Sequence, residues 1–302
     1  MLAGARIFHV NVNCSDVARS RGFYVDGCGL VDGVRTAPEG AQPGVAFGLD
    51  RARWDAWILV GANGFDGGAI DLLEWKEPPP IGAPAGALYE SGFQRLGLLV
   101  TDLDRAIANT AARGGTVWSE PNVHHLPNRR EIRIIFVNDP DGTAIELVEG
   151  DACRLSFVGV TCRDLELSVA FYRTLGFREL ARFASAPETA PHLRVDGAVS
   201  MVEVLMAAPG GGEVQLMLVG FEVPTVRAAE PRAANTLGMW RTALLLPDLD
   251  GAVAAVQRAG IELISAPQRM AMGPGLPELR FVCFRGPDHE VVELIEEPSD
   301  DR

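Results

Sequence analysis

The first residue able to do chemistry is His9, in the segment Phe8-His-Val-Asn-Val-Asn13. Apolar and polar residues alternate here, as in a half-buried strand whose side chains point to opposite faces. Phe8, Val10 and Val12 then share the face packed on a helix, leaving His9, Asn11 and Asn13 on the inner one. An imidazole can ligate a metal, move a proton or simply accept hydrogen bonds, so three readings of His9 are open. The same alternation turns Asp71 and Leu73 of AIDLLEW inward, with Arg95, Gly97 and Leu99 of RLGLL and Glu146 and Val148 of AIELVE. A buried carboxylate between Ile145 and Leu147 needs a partner, and Arg95 can supply a charge-assisted bond. Arg241 in RTALLL and Glu293 in VVELIE repeat that combination. Both pairs read as structural ion pairs, or as arginines that recognise a substrate carboxylate or phosphate.

The elements that position these residues form an internal repeat. Asp16 precedes Phe23-Tyr24 by the spacing that separates Asp164 from Phe171-Tyr172, and RLGLLVTDLDRAI from Arg95 matches RTALLLPDLDGAV from Arg241. Each unit reads as a strand, an Asp that caps a helix, a helix closed by Gly, and three more extended stretches. The helix after Asp102 is expected to carry Ala106, Ala108, Ala111 and Ala112 on its apolar side. Asp139-Pro-Asp-Gly142 and Gly286-Pro-Asp-His289 are turn signals before a last strand. The expected fold is α+β: four βαβββ modules (5–76, 92–149, 153–222 and 237–297) paired into two half-open β-barrels, residues 1–150 and 151–302. One such sheet cannot close a core alone, and two side by side can line a cavity.

The composition suits this plan. The chain has 302 residues, 47% of them hydrophobic and 22% charged, enough for two cores. A formal charge of −13 argues against nucleic acid or an acidic membrane as partner. Five cysteines without CxxC spacing argue against a disulfide framework or thiolate zinc site and for a cytoplasmic location. The alternating N-terminus does not read as a signal peptide.

The strand-Asp-helix-Phe-Tyr and DPDG-x-x-[IV]-E-L elements resemble the vicinal oxygen chelate superfamily of glyoxalases, bleomycin-resistance proteins and extradiol dioxygenases. The resemblance implies tandem pairing of modules and a metal site on first and last strands. Carried over, it points to His9, Asp71 and Glu146 as ligands of a divalent metal (Fe, Mn, Ni, Zn or Mg) in the N-terminal half. Arg95 stands where a further His ligand is expected, and a guanidinium has no lone pair for a metal. In the second half Phe157 and Gln215 stand at the His9 and Asp71 positions, so no metal is expected there.

The function so implied is a glyoxalase-like enzyme of isomerase or lyase type acting on a small oxygen-bearing or aromatic molecule. His9, Glu146 and Arg95 would be catalytic, with Asn11, Asn13, Arg95, Arg241 and Glu293 binding ligand in a possible homodimer. The alternative is a metal-free binding protein of the bleomycin-resistance type. An extradiol dioxygenase fits less well, because of the iron ligands expected in its second half only Glu293 is present. His124-His125, His192 and His289 read as loop residues, and the five tryptophans as core or cavity-wall aromatics.

Overall fold

A computed structural model describes residues 1–125 and 131–298, apart from the side chains of His124 and His125. The four units are built as expected. Unit I holds β1 (Arg6–Asn13), α1 (Val17–Gly22), β2 (Val31–Thr36), β3 (Arg51–Gly61) and β4 (Gly64–Glu77). Unit II holds β5 (Gly92–Val100), α2 (Leu103–Ala112), β6 (Thr116–Val117), β7 (Glu131–Asn138) and β8 (Ala144–Glu149). Unit III holds β9 (Arg154–Thr161), α3 (Leu165–Leu175), β10 (Arg178–Ala184), β11 (Ala198–Ala207) and β12 (Gln215–Val223). Unit IV holds β13 (Gly238–Leu246), α4 (Leu249–Arg258), β14 (Gln268–Met270), β15 (Leu279–Arg285) and β16 (Val291–Glu296).

All four predicted caps are made. Asp16, Asp102, Asp164 and Asp248 accept from the backbone N–H of Arg19, Arg105, Leu167 and Gly251, each satisfying a donor the helix cannot. The buried stripe of α2 is Leu103, Ala106 and Thr110, not the expected alanine series, because Ala108, Ala111 and Ala112 face solvent.

The pairing of units differs from expectation. One sheet runs β14-β15-β16-β13-β1-β4-β3-β2 and the other β10-β11-β12-β9-β5-β8-β7-β6, so unit I joins unit IV and unit II joins unit III. The seams are antiparallel first strands, β1 with β13 and β9 with β5. The largest apolar core lies on the helix side of both sheets, joining Val10 and Leu72 of one to Leu98 and Val158 of the other with helix residues Leu103 and Val169. Each concave face holds a smaller cluster of its own.

A bulge between Ile7 and His9 alters the expected faces of β1. Ile7 joins Val10 and Val12 in the main core, whereas Phe8 packs against the concave cluster beside His9. An extra residue in one strand shifts the alternation there by one position.

Candidate functional site

The concave face of units I and IV gathers four buried polar side chains, His9, Asp71, Arg241 and Glu293, each no more than 5% exposed. Register brings them together: Asn11 lies beside Asp71 on the parallel strand β4, and Ala243 beside Glu293 on β16. Arg241 sits centrally, its Nε donating to Glu293 Oε2 at 2.9 Å and its Nη2 to Asp71 Oδ2 at 2.7 Å. His9 Nε2 lies 3.4 Å from Glu293 Oε2 and 3.9 Å from Asp71 Oδ2. Asn11 Nδ2 donates to Asp71 Oδ2 at 3.3 Å. Four atoms of this cluster remain buried without a hydrogen-bond partner: His9 Nδ1 and Nε2, Asn11 Oδ1 and Arg241 Nη1. Such groups cost stability unless something completes them.

Around this centre stands an aromatic wall. The Arg241 guanidinium lies 5.3 Å from the Phe47 ring and 5.8 Å from Trp240, distances at which ring faces attract a cation. Phe47, Trp54, Trp75, Trp240 and Phe281 all belong to the same concave cluster. Burial raises the pKa of Glu293, but Arg241 and His9 outweigh it and hold the carboxyl below its ordinary value. Glu293 is thereby kept anionic.

The concave face of units II and III carries a sister cluster. Arg95 Nε donates to Glu146 Oε2 at 2.8 Å and Nη2 to Glu203 Oε1 at 2.6 Å, with Phe136 and Phe157 against the guanidinium. Burial here prevails over Arg95 and raises the pKa of Glu146. The Phe157 ring packs over Gly97, where a Cβ would lie 2.1 Å from a ring carbon.

Several expectations are corrected by this geometry. Glu146 and Arg95 lie in the sheet shared with unit III and do not meet His9 or Asp71, so the trio His9, Asp71 and Glu146 is not assembled. Phe157 does occupy the position of His9, but Gln215 is not the counterpart of Asp71. The register sets Gly159 beside Met217 as Asn11 is beside Asp71, and Met217 Sδ accepts from Arg95 Nη2. Asn13 is committed elsewhere: its Nδ2 donates to the carbonyls of Ala234 and Thr236 and its Oδ1 accepts from Trp75 Nε1. Asn11, Arg241 and Glu293 do lie in the His9 cluster. Sequence reasoning missed Glu203, whose only signal was its place in a half-buried strand, and Phe47, which a connecting loop carries inward. His289 is a turn residue with φ 66°, and the side chains of His124 and His125 lie outside the described residues.

A divalent metal does not fit the His9 cluster. The carboxylate oxygens that would face it already face Arg241, and a second cation there would be repelled by the first. Among the described residues no three His, Cys, Asp or Glu side chains are placed to hold a metal ion.

The fold and the sequence can be set beside known proteins. Glyoxalase I from Zea mays superposes with a TM-score of 0.68 at 19% identity, over 97% of this chain and 92% of that one. A putative dioxygenase from Bacillus subtilis gives a TM-score of 0.60 at 11% identity, over 99% and 87%. At these identities the likeness is one of fold. The lactoylglutathione lyase GLX1 of Arabidopsis thaliana is 33% identical over 102 residues, which is 32% of this chain and about a third (34%) of that protein's length. The sequence model of the Glyoxalase/Bleomycin resistance protein/Dioxygenase superfamily matches residues 6–147 and 154–294, nearly the whole chain. The four-unit fold and both matched segments thus lead to one conclusion: the chain belongs to the glyoxalase/bleomycin resistance protein/dioxygenase superfamily.

Proposed function

We propose that the chain is a glyoxalase-like enzyme of isomerase or lyase type that acts on a small oxygen-bearing or aromatic molecule in the cavity of units I and IV. The observation that carries this reading is His9, buried between two carboxylates with both ring nitrogens unbonded, beside the unpartnered Nη1 of Arg241. A substrate with a carbonyl next to a carbon that bears both a hydrogen and a hydroxyl would place its carbonyl oxygen at Nη1. His9 takes the proton from carbon, the electron pair moves onto the oxygen, and Arg241 stabilises the resulting enediolate. Return of the proton to the former carbonyl carbon, with the hydroxyl proton passing from the first oxygen to the second, leaves a carbonyl at the first carbon and completes an isomerisation in which nothing is oxidised overall. Glu293 and Asp71 hold the guanidinium and stabilise the imidazolium. The name of the Arabidopsis relative makes lactoylglutathione, and the glutathione thiohemiacetal isomeric with it, the first compounds to try. A ring-cleaving dioxygenase is not favoured, since the cavity offers one imidazole and no fitting metal position.

The test is solvent-deuterium exchange at carbon, followed by NMR, over α-hydroxycarbonyl compounds and that thiohemiacetal. At least one compound should exchange, and His9→Ala should slow it by about 100-fold or more, the usual worth of a general base. Binding without exchange by any compound would leave a sequestering protein instead, and exchange indifferent to His9 would remove the assigned base.

A further inference from the structure

We infer that Arg241 is the resident cation of the unit I/IV cavity and sets its specificity: its guanidinium stands in the place of a divalent metal, bars one from entering, and offers Nη1 to a ligand oxygen. The first support is the cradle, in which Nε meets Glu293 and Nη2 meets Asp71 while Phe47 and Trp240 cover the planar group. The second is the sister cluster, where the same cradle persists after the other polar groups are gone. Phe157 replaces the imidazole and Met217 stands at the Asp71 position, yet Arg95 still has Nε on Glu146 and Nη2 on a second carboxylate. That carboxylate, Glu203, comes from β11 instead of β12, so it reaches the same guanidinium nitrogen from a different strand. In both clusters the carboxylates follow the arginine. The third is that Arg241 Nη1 is buried and unpartnered, a donor left for an acceptor atom.

One side chain therefore separates this cavity from a metal centre. Arg241→His would set two imidazoles and two carboxylates on four neighbouring strands, a donor set suited to cobalt, nickel or zinc. The inference uses the cavity proposed above, but its readout is metal content and not turnover.

The experiment dialyses the full chain against a chelator, adds Co²⁺ alone, and measures retained metal, cobalt absorption and melting temperature. The wild type is expected to retain no cobalt and to melt unchanged, whereas Arg241→His should hold about one equivalent and melt several degrees higher with it. Arg95→His, facing Phe157 and Met217, should hold none. Arg241→Gln frees the same carboxylates without adding an imidazole and should bind cobalt more weakly; with the wild type it decides the matter if the His variant does not fold. Cobalt retained by the wild type and lost in His9→Ala would overturn the inference while leaving the cavity as the site. Failure of both folded Arg241 variants to bind cobalt would equally overturn it, and absence of deuterium exchange would sink only the functional reading.

Discussion

Replacing Arg241 by Met keeps much of the side-chain volume and removes the charge, leaving the buried carboxylates of Asp71 and Glu293 without the guanidinium that bonds both. Both residues are at most 4% exposed, and His9 Nε2 lies 3.4 Å from Glu293 Oε2. Removing one member of a buried charge cluster costs roughly 3–5 kcal/mol, because the partners keep their desolvation penalty and lose the attraction. The cost should depend on pH. In the wild type Glu293 is held below its ordinary pKa, so its stabilisation is present above about pH 4.5 and is lost as the pH falls further. In the variant burial acts without Arg241 and raises the carboxyl pKa, so the penalty grows as the pH rises through that higher value. Urea unfolding at pH 8 and near pH 4 measures both arms. The variant should lie about 3–5 kcal/mol below the wild type at pH 8, and much of that gap should close at the lower pH. The triple variant Arg241→Met, Asp71→Asn, Glu293→Gln should regain most of the loss. An equal gap at both pH values, or one below about 1 kcal/mol at pH 8, would show that the three groups are not coupled as described.

Other consequences can be checked on the same material. Glu290 is buried, accepts from Tyr172 Oη at 2.8 Å, and is pushed up by burial to a pKa of about 7. Its raised pKa adds stability that is full below about pH 4.5 and lost as the pH rises through about 7, so Glu290→Gln should gain on the wild type over that interval in urea melts. No change in relative stability between about pH 5 and pH 8 would refute the assignment. Gly97→Ala places a methyl 2.1 Å from the Phe157 ring and should cost about 1–3 kcal/mol by overpacking. Phe157→Leu should relieve part of that cost, and strict additivity of the two changes would count against a direct clash.

The repeat was legible because its marks are local. A capping Asp is fixed by contacts within its own helix turn and a final I/V-E-L strand by pairing with the first strand of its own unit, and Asp16, Asp102, Asp164 and Asp248 all cap as their positions predicted. The turn in unit IV shows how far local reading goes. Gly286 stands where Asp139 does in unit II, and Glu290 folds its carboxylate back into the space a side chain at 286 would fill, accepting from Tyr172 as Asp139 does from Tyr24. Each residue is visible in the sequence, but only the turn geometry shows that they exchange roles.

By itself the sequence determined the four units, their caps and the inward residues His9, Asp71, Arg95, Glu146, Arg241 and Glu293, because alternation and capping act over a few residues. Which unit meets which was decided by tertiary structure. All four first strands are apolar enough to form a seam, so their composition does not select β13 over β5 as the partner of β1. Joining unit I to unit IV lets Asn13 bind the connecting segment at Ala234 and Thr236 and draws Arg241 between Asp71 and Glu293. His9 therefore lies beside Arg241 instead of Arg95, and the polar cluster expected in one half of the chain is divided between its first unit and its last.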